Sequence, residues 1–161
     1  MLRNFDVADS NVVPSSSSNI SKPGESFASC PSTSDTYNLS RKSMGKAVII
    51  DINTFSSHYN LSKRKGSDKD VDALAEILRA FGFEVMIHEN LSSDEVNRVI
   101  MNLALEDHSD NNCMLLTIMS HGDNNGVIYT TDGLIYTDDI QKPFTDPKNG
   151  SSLRGKPKIF F

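Results

Sequence analysis

Ser120-His121-Gly122-Asp123 directly follows an apolar run, Cys113–Met119, and its residue types are suited to chemistry. A histidine at the carboxyl end of a buried strand can take or give a proton near neutral pH. The glycine after it can offer an unhindered backbone N–H to a developing oxyanion. The same four residues can equally be a loop that ends a strand in solvent. What is missing is an attacking group. Cys113 opens the apolar run, where a thiol is expected to be buried and inert. Cys30 lies in a serine-rich leader, and Ser120 and Ser151 lack the GxSxG elbow. The residues therefore show a base and an oxyanion donor without a nucleophile. The other histidines offer less: His58 is in a polar loop, His88 ends an apolar stretch, and His108 lies at a helix end, where a cation is favoured anyway. Lys63-Arg64-Lys65 is the one basic cluster, readable on pattern alone as a solvated loop or an anion site.

These residues need a scaffold, and the hydrophobic pattern describes one. Lys46–Phe55 is a β-branched apolar run of strand length. After a polar loop, Ser67 can cap a helix whose apolar stripe is Val71, Leu74, Ala75, Leu78 and Phe81, with Gly82 just past its end. Phe83–His88 reads as a second strand. Ser92 and Glu95 form a capping box, opening a helix with the stripe Val96, Val99, Ile100 and Leu103 that should end near 106–109. Cys113–Met119, apolar throughout, suits a central strand. Val127–Thr130 and Leu134–Thr137 flank a Thr131-Asp132-Gly133 turn, as a hairpin would. Asp138–Phe144 suits a helical turn, and Pro157–Phe161 starts another strand. Strand, helix, strand, helix, strand is the pattern of a parallel α/β sheet. The candidate histidine then falls at the carboxyl end of the sheet, where such folds gather their chemistry.

Composition narrows the class. The chain has 161 residues, 37% hydrophobic and 23% charged, which suits one domain. The first 45 residues hold 12 serines, three prolines and only three aromatics, so they read as a disordered leader before a folded unit at 46–161. Residues 46–161 carry 12 bases against 17 acids, which argues against a nucleic-acid surface. No apolar run approaches a membrane span, and the N-terminus has acids where a signal peptide needs apolar residues, so a cytoplasmic protein is expected. Without CxxC or HExxH, neither a metal nor a cofactor is expected.

The sequence resembles the large subunit of a caspase, nearest in pattern to the short-prodomain effector caspases, insect ones among them. The stretches that carry the resemblance are Lys63-Arg-Lys-Gly-Ser-Asp-Lys-Asp70, Glu106-Asp-His-Ser109, the Leu115–Gly122 run ending in SHG, and Leu153-Arg-Gly-Lys-Pro-Lys-Ile-Phe-Phe161. The resemblance implies a caspase-like three-layer sandwich, mostly parallel with helices on both faces and incomplete at its C-terminus. It implies that His121 is the catalytic histidine, Gly122 the oxyanion-hole donor, and Arg64 part of the pocket for the substrate aspartate. A guanidinium fork suits that carboxylate, which lysine cannot grip in the same way. In the family, KPKIFF leads directly into the QAC signature with the nucleophile. This chain stops just before it, so truncation and an inactive isolated chain are expected.

Two readings follow from the resemblance: part of an apoptotic cysteine endopeptidase cutting after aspartate, or a non-catalytic caspase-like fragment that binds and modulates caspases. The expected partners are proteins cleaved at aspartate, a caspase small subunit with a second protomer, and caspase inhibitors, with no nucleic acid or membrane. A flavodoxin-like nucleotide-binding reading needs a glycine-rich loop after the first strand, and Ser56–Lys65 contains no glycine. The resemblance also implies processing at aspartates. In the leader, Asp9 closes an acid-x-x-acid pattern before Ser10, and Asp35 before Thr36 is the alternative. Incubation with an active effector caspase followed by N-terminal sequencing checks this. A product starting at Ser10 is expected, one starting at Thr36 moves the site to Asp35, and an uncut leader contradicts both.

Overall fold

A computed structural model describes residues 36–145 and 151–161. Asp9, Asp35 and Cys30 lie outside these residues, as does the leader up to residue 35; its expected end at residue 45 is not kept, since Ser43, Met44 and Gly45 already belong to the first strand. A four-stranded, fully parallel sheet forms the centre. Its strands are β1 (Ser43–Asp51), β2 (Phe83–Glu89), β3 (Asn111–Met119) and β6 (Lys158–Phe160), in the order β2-β1-β3-β6. A separate antiparallel hairpin, β4 (Val127–Tyr129) and β5 (Leu134–Tyr136), follows β3. The helices are α1 (Ser67–Ala80), α2 (Ser93–Leu105) and α3 (Thr137–Thr145).

The apolar runs are continuous because both faces of the sheet are covered. On β1, Ala47 and Ile49 pack with Val71, Ala75 and Leu78 of α1. Val48, Ile50 and Ile52 face the other way, into a larger cluster with Val96, Ile100 and Leu103 of α2 and Ile140 and Phe144 of α3. Ala47, Val48, Ile49 and Ile50 are all fully buried, each strand position meeting one helical layer or the other. This is the expected α/β three-layer arrangement.

Several boundaries differ from the sequence pattern, each for a local reason. β1 ends at Asp51 instead of running to Phe55, because the Asn90 side chain accepts the backbone N–H groups of Asn53 (2.9 Å) and Thr54 (3.0 Å) and turns the chain away. Ser67 is not the cap of α1. Gly66 holds that place at φ +85°, and the Ser67 hydroxyl is donated to Asp51 Oδ2 at 2.9 Å. Phe81, counted with the buried stripe, is 65% exposed, since it follows the last helical residue. The capping box of α2 forms: Ser92 Oγ accepts from Glu95 N, and Glu95 Oε2 accepts from Ser92 N at 2.8 Å, holding the Glu95 carboxyl below its usual range. β3 starts two residues early, where the Asn112 side chain pairs with the backbone of Arg41 and Ser43. α2 ends at Leu105, and His108 is fully buried: its Nε2 donates to Leu103 O at 2.7 Å and its Nδ1 accepts from Asn111 Nδ2 at 3.1 Å. Buried Lys156 donates to the carbonyls of His108 and Ser109, tying the approach to β6 onto the same loop; burial pushes its pKa down.

β1 and β3 meet where Gly45 lies opposite Cys113. Gly45 has φ +135°, and a Cβ there would sit 1.9 Å from the Cys113 carbonyl oxygen. Gly45→Ala is therefore expected to cost at least about 3 kcal/mol, from overpacking and a strained backbone together. Urea denaturation checks this, and an unchanged midpoint would show that the strands do not approach in this way.

Candidate active site

The carboxyl ends of β1 and β3 are adjacent, with Asp51 opposite Met119. The loops leaving them, 52–66 and 120–126, therefore meet. Ile52 N donates to Met119 O at 2.8 Å and starts that junction. Asp51 is 1% exposed, which for a carboxylate demands compensation. Its Oδ1 accepts from Arg64 Nη1 at 2.6 Å, and its Oδ2 accepts from Ser67 Oγ at 2.9 Å and Asn53 Nδ2 at 3.0 Å. The same Nη1 also donates to Ile52 O (3.1 Å) and Met119 O (3.0 Å). Arg64 N donates to Asn53 O at 3.0 Å and closes the base of the loop. One amino group of the Arg64 fork is thus spent inside the protein, and among the described residues no hydrogen bond engages Nη2 or Nε.

His121 follows β3 and is half-buried. Its Nε2 lies 2.9 Å from the Ser62 carbonyl oxygen. A carbonyl only accepts, so Nε2 carries the proton in this contact and Nδ1 of the neutral ring keeps the lone pair. The ring also packs on Phe55, with centroids 4.9 Å apart at 46°. The backbone around it is fixed by the hairpin: Tyr129 N donates to His121 O (2.9 Å), Asp123 N donates to Val127 O (3.0 Å), and Ser120 Oγ donates to Tyr129 O (2.5 Å). Gly122 therefore opposes Ile128 as a non-hydrogen-bonded pair, and its own N–H points away from the hairpin. A Cβ at Gly122 would come within 2.8 Å of Val127 O, so the close approach itself requires glycine.

Three sequence candidates, His121, Gly122 and Arg64, thus lie at one end of the sheet. Cys113 lies at the other. Eight residues of extended chain separate it from His121, about 25 Å. It donates its thiol to Met44 O at 3.3 Å, and burial pushes its pKa up, so it is no partner for His121. Among the described residues, no group of three or more His, Cys, Asp and Glu can hold a metal ion, and no helix is long and apolar enough to cross a membrane. Asp51, Phe55 and the Ser62 carbonyl are site features that sequence reasoning passed over. Asp51 left a signal, a carboxylate closing an apolar strand shortly before a basic triplet. A backbone carbonyl leaves none.

Residues 44–161 match the family model described as the caspase domain, Peptidase_C14. This chain belongs to the caspase family. It is 38% identical over 125 residues to Caspase-1 of Spodoptera frugiperda, covering 78% of this chain and 41% of that protein. To Caspase-7 of Gallus gallus it is 34% identical over 125 residues, covering 40% of that protein. The crystal structure of Caspase-1 from Spodoptera frugiperda superimposes with a TM-score of 0.73 at 37% identity, covering 78% of this chain and 49% of that one. The chain thus spans about two fifths of the curated caspases it matches, and the fold is a caspase-like α/β fold.

The Asp51–Arg64 pair yields a direct test. Asp51→Ala leaves a mostly buried guanidinium unpaired and is expected to cost about 2–4 kcal/mol. A double-mutant cycle with Arg64→Met, read by urea denaturation, should return a large part of that as coupling, and additive effects would mean the pair is incidental.

Proposed function

We propose that these residues form the large-subunit part of a cysteine endopeptidase that cuts after aspartate in apoptosis, with His121 as the general base. The supporting observation is the Ser62 carbonyl on His121 Nε2, which leaves Nδ1 as the proton acceptor beside an N–H of Gly122 that the hairpin does not use. In this reading a thiol supplied from outside these 161 residues gives its proton to Nδ1. The thiolate attacks the carbonyl carbon of the substrate, and the resulting oxyanion accepts the Gly122 N–H. The imidazolium, its ring held in place by the Ser62 carbonyl, then returns the proton to the leaving amine. Water hydrolyses the thioester, with Nδ1 again taking the proton.

Arg64 binds the carboxylate of the substrate aspartate through Nη2 and Nε. Asp51 supports this role, because it anchors the opposite side of the fork and lowers the entropy lost on binding. The proposal extends to the rest of the protein: a processed leader ahead of a domain that includes β1 from Ser43, a small subunit and a second protomer completing the groove, caspase inhibitors as regulators, and a cytoplasmic location. The 161-residue chain alone should not hydrolyse aspartyl peptides, since Cys113 is buried far from His121.

Kinetics of the protease reconstituted with its small subunit test this reading. His121→Ala should lower kcat/KM by about 10³-fold or more, and Arg64→Lys should cost about 2–4 kcal/mol in transition-state binding. Unchanged cleavage after Arg64→Lys would make Arg64 a structural anchor only. Hydrolysis by the isolated chain, abolished by His121→Ala, would place the nucleophile within these residues.

A further inference from the structure

The loop carrying Ser62 is fastened at two places. At its base are the Arg64 contacts. Near its tip, Tyr59 sits between two rings, His58 on one side (centroids 3.8 Å apart) and Tyr129 of β4 on the other (5.4 Å, edge-on). The Tyr59 hydroxyl donates to Asp132 O in the hairpin turn at 3.1 Å, and Ser56 N donates to the neighbouring Thr131 O at 2.8 Å. The His58 ring is itself held, its Nδ1 2.7 Å from Ser56 Oγ. Three residues after Tyr59 comes the Ser62 carbonyl on His121 Nε2. The other half of that hydrogen bond hangs on the same hairpin strand, because Tyr129 N holds His121 O. Tyr129 therefore touches both partners: its ring meets the loop and its backbone meets the histidine.

We infer that Tyr59 is a positioning residue for His121, acting through the β4–β5 hairpin to keep the Ser62 carbonyl against Nε2. This rests on His121 being the general base, but the geometry does not. Ser62 is exposed, and Asn60 between it and Tyr59 adopts φ +52°. Arg64, two residues beyond Ser62, fastens the loop on one side, and without the Tyr59 seat the carbonyl is restrained chiefly from that side. The ring could then rotate and lose its fixed proton position.

Proton exchange at His121 Nε2–H, measured by NMR on the 161-residue chain, tests the inference directly. Tyr59→Phe keeps the ring seat and removes one hydrogen bond, and should speed exchange about fivefold. Tyr59→Ala removes both and should speed it at least about twentyfold. Backbone amides of β1 and β3 should keep their protection, which separates loop release from general unfolding. Ser56→Pro is a second route, since Ser56 has φ −58°, which proline accepts, and the change removes both the N–H held by Thr131 O and the hydroxyl that holds His58 Nδ1; it too should speed exchange. Exchange within twofold of the parent chain in Tyr59→Phe and Ser56→Pro would overturn the inference, whatever Tyr59→Ala does. In the reconstituted protease, Tyr59→Ala should lower kcat with KM little changed. Faster exchange with unaltered kcat would uphold the positioning role and contradict His121 as base.

Discussion

A carboxylate buried at the end of a strand has to be answered, and the answer given to Asp51 organises the site end of this molecule. β1 is apolar for two-layer burial, yet it closes on an acid that is 1% exposed. Arg64, Ser67 and Asn53 converge on that carboxylate from three places in the following segment. They thereby fix the course of the chain from β1 to α1. Arg64 also takes the carbonyls of Ile52 and Met119, so the ends of two adjacent strands share one cation. The ion pair is more a device of position than of net stability, since desolvating both charges offsets much of their attraction.

Everything proposed for catalysis depends on that loop being in place. Besides the Phe55 ring, its contribution to His121 is a backbone carbonyl, which has no freedom of its own and is only as well placed as the chain around it. The hairpin supplies the complementary restraint. It grips the backbone on both sides of Gly122, and by doing so in a non-hydrogen-bonded pair it leaves the Gly122 N–H unspent. A paired N–H would be useless to an oxyanion, and any side chain at this position would strike Val127 O. The fold thus makes the base and the donor available by what it leaves unpaired as much as by what it binds.

Much of this was legible in the sequence. The apolar runs gave the parallel strands because burial on two faces removes polar alternation, and the Ser92–Glu95 box and Gly82 marked helix ends through local hydrogen bonding and φ > 0. His121 and Gly122 were visible as a short motif beyond a buried strand. What stayed hidden was set by tertiary contact. Ser67 looks like a cap until Asp51 takes its hydroxyl, and the Asn90 side chain ends β1 from a distant loop. His108 reads as a polar helix end but is buried with both ring nitrogens satisfied. The Ser62 carbonyl and the Tyr129 N–H on His121 O are backbone geometry, which residue types do not encode. Arg64 was visible as a cation, but its division between an internal anchor and a free edge was not.

A crystal structure of the reconstituted protease with a covalently bound aspartyl aldehyde tests the central claim most directly. The thiohemiacetal sulfur should face His121 Nδ1 while Nε2 stays on Ser62 O. The inhibitor oxygen should lie on the Gly122 N–H, and the inhibitor carboxylate on Nη2 and Nε of Arg64 with Nη1 still on Asp51. A ring turned to present Nε2 to the sulfur, or a carboxylate seated away from Arg64, would contradict it.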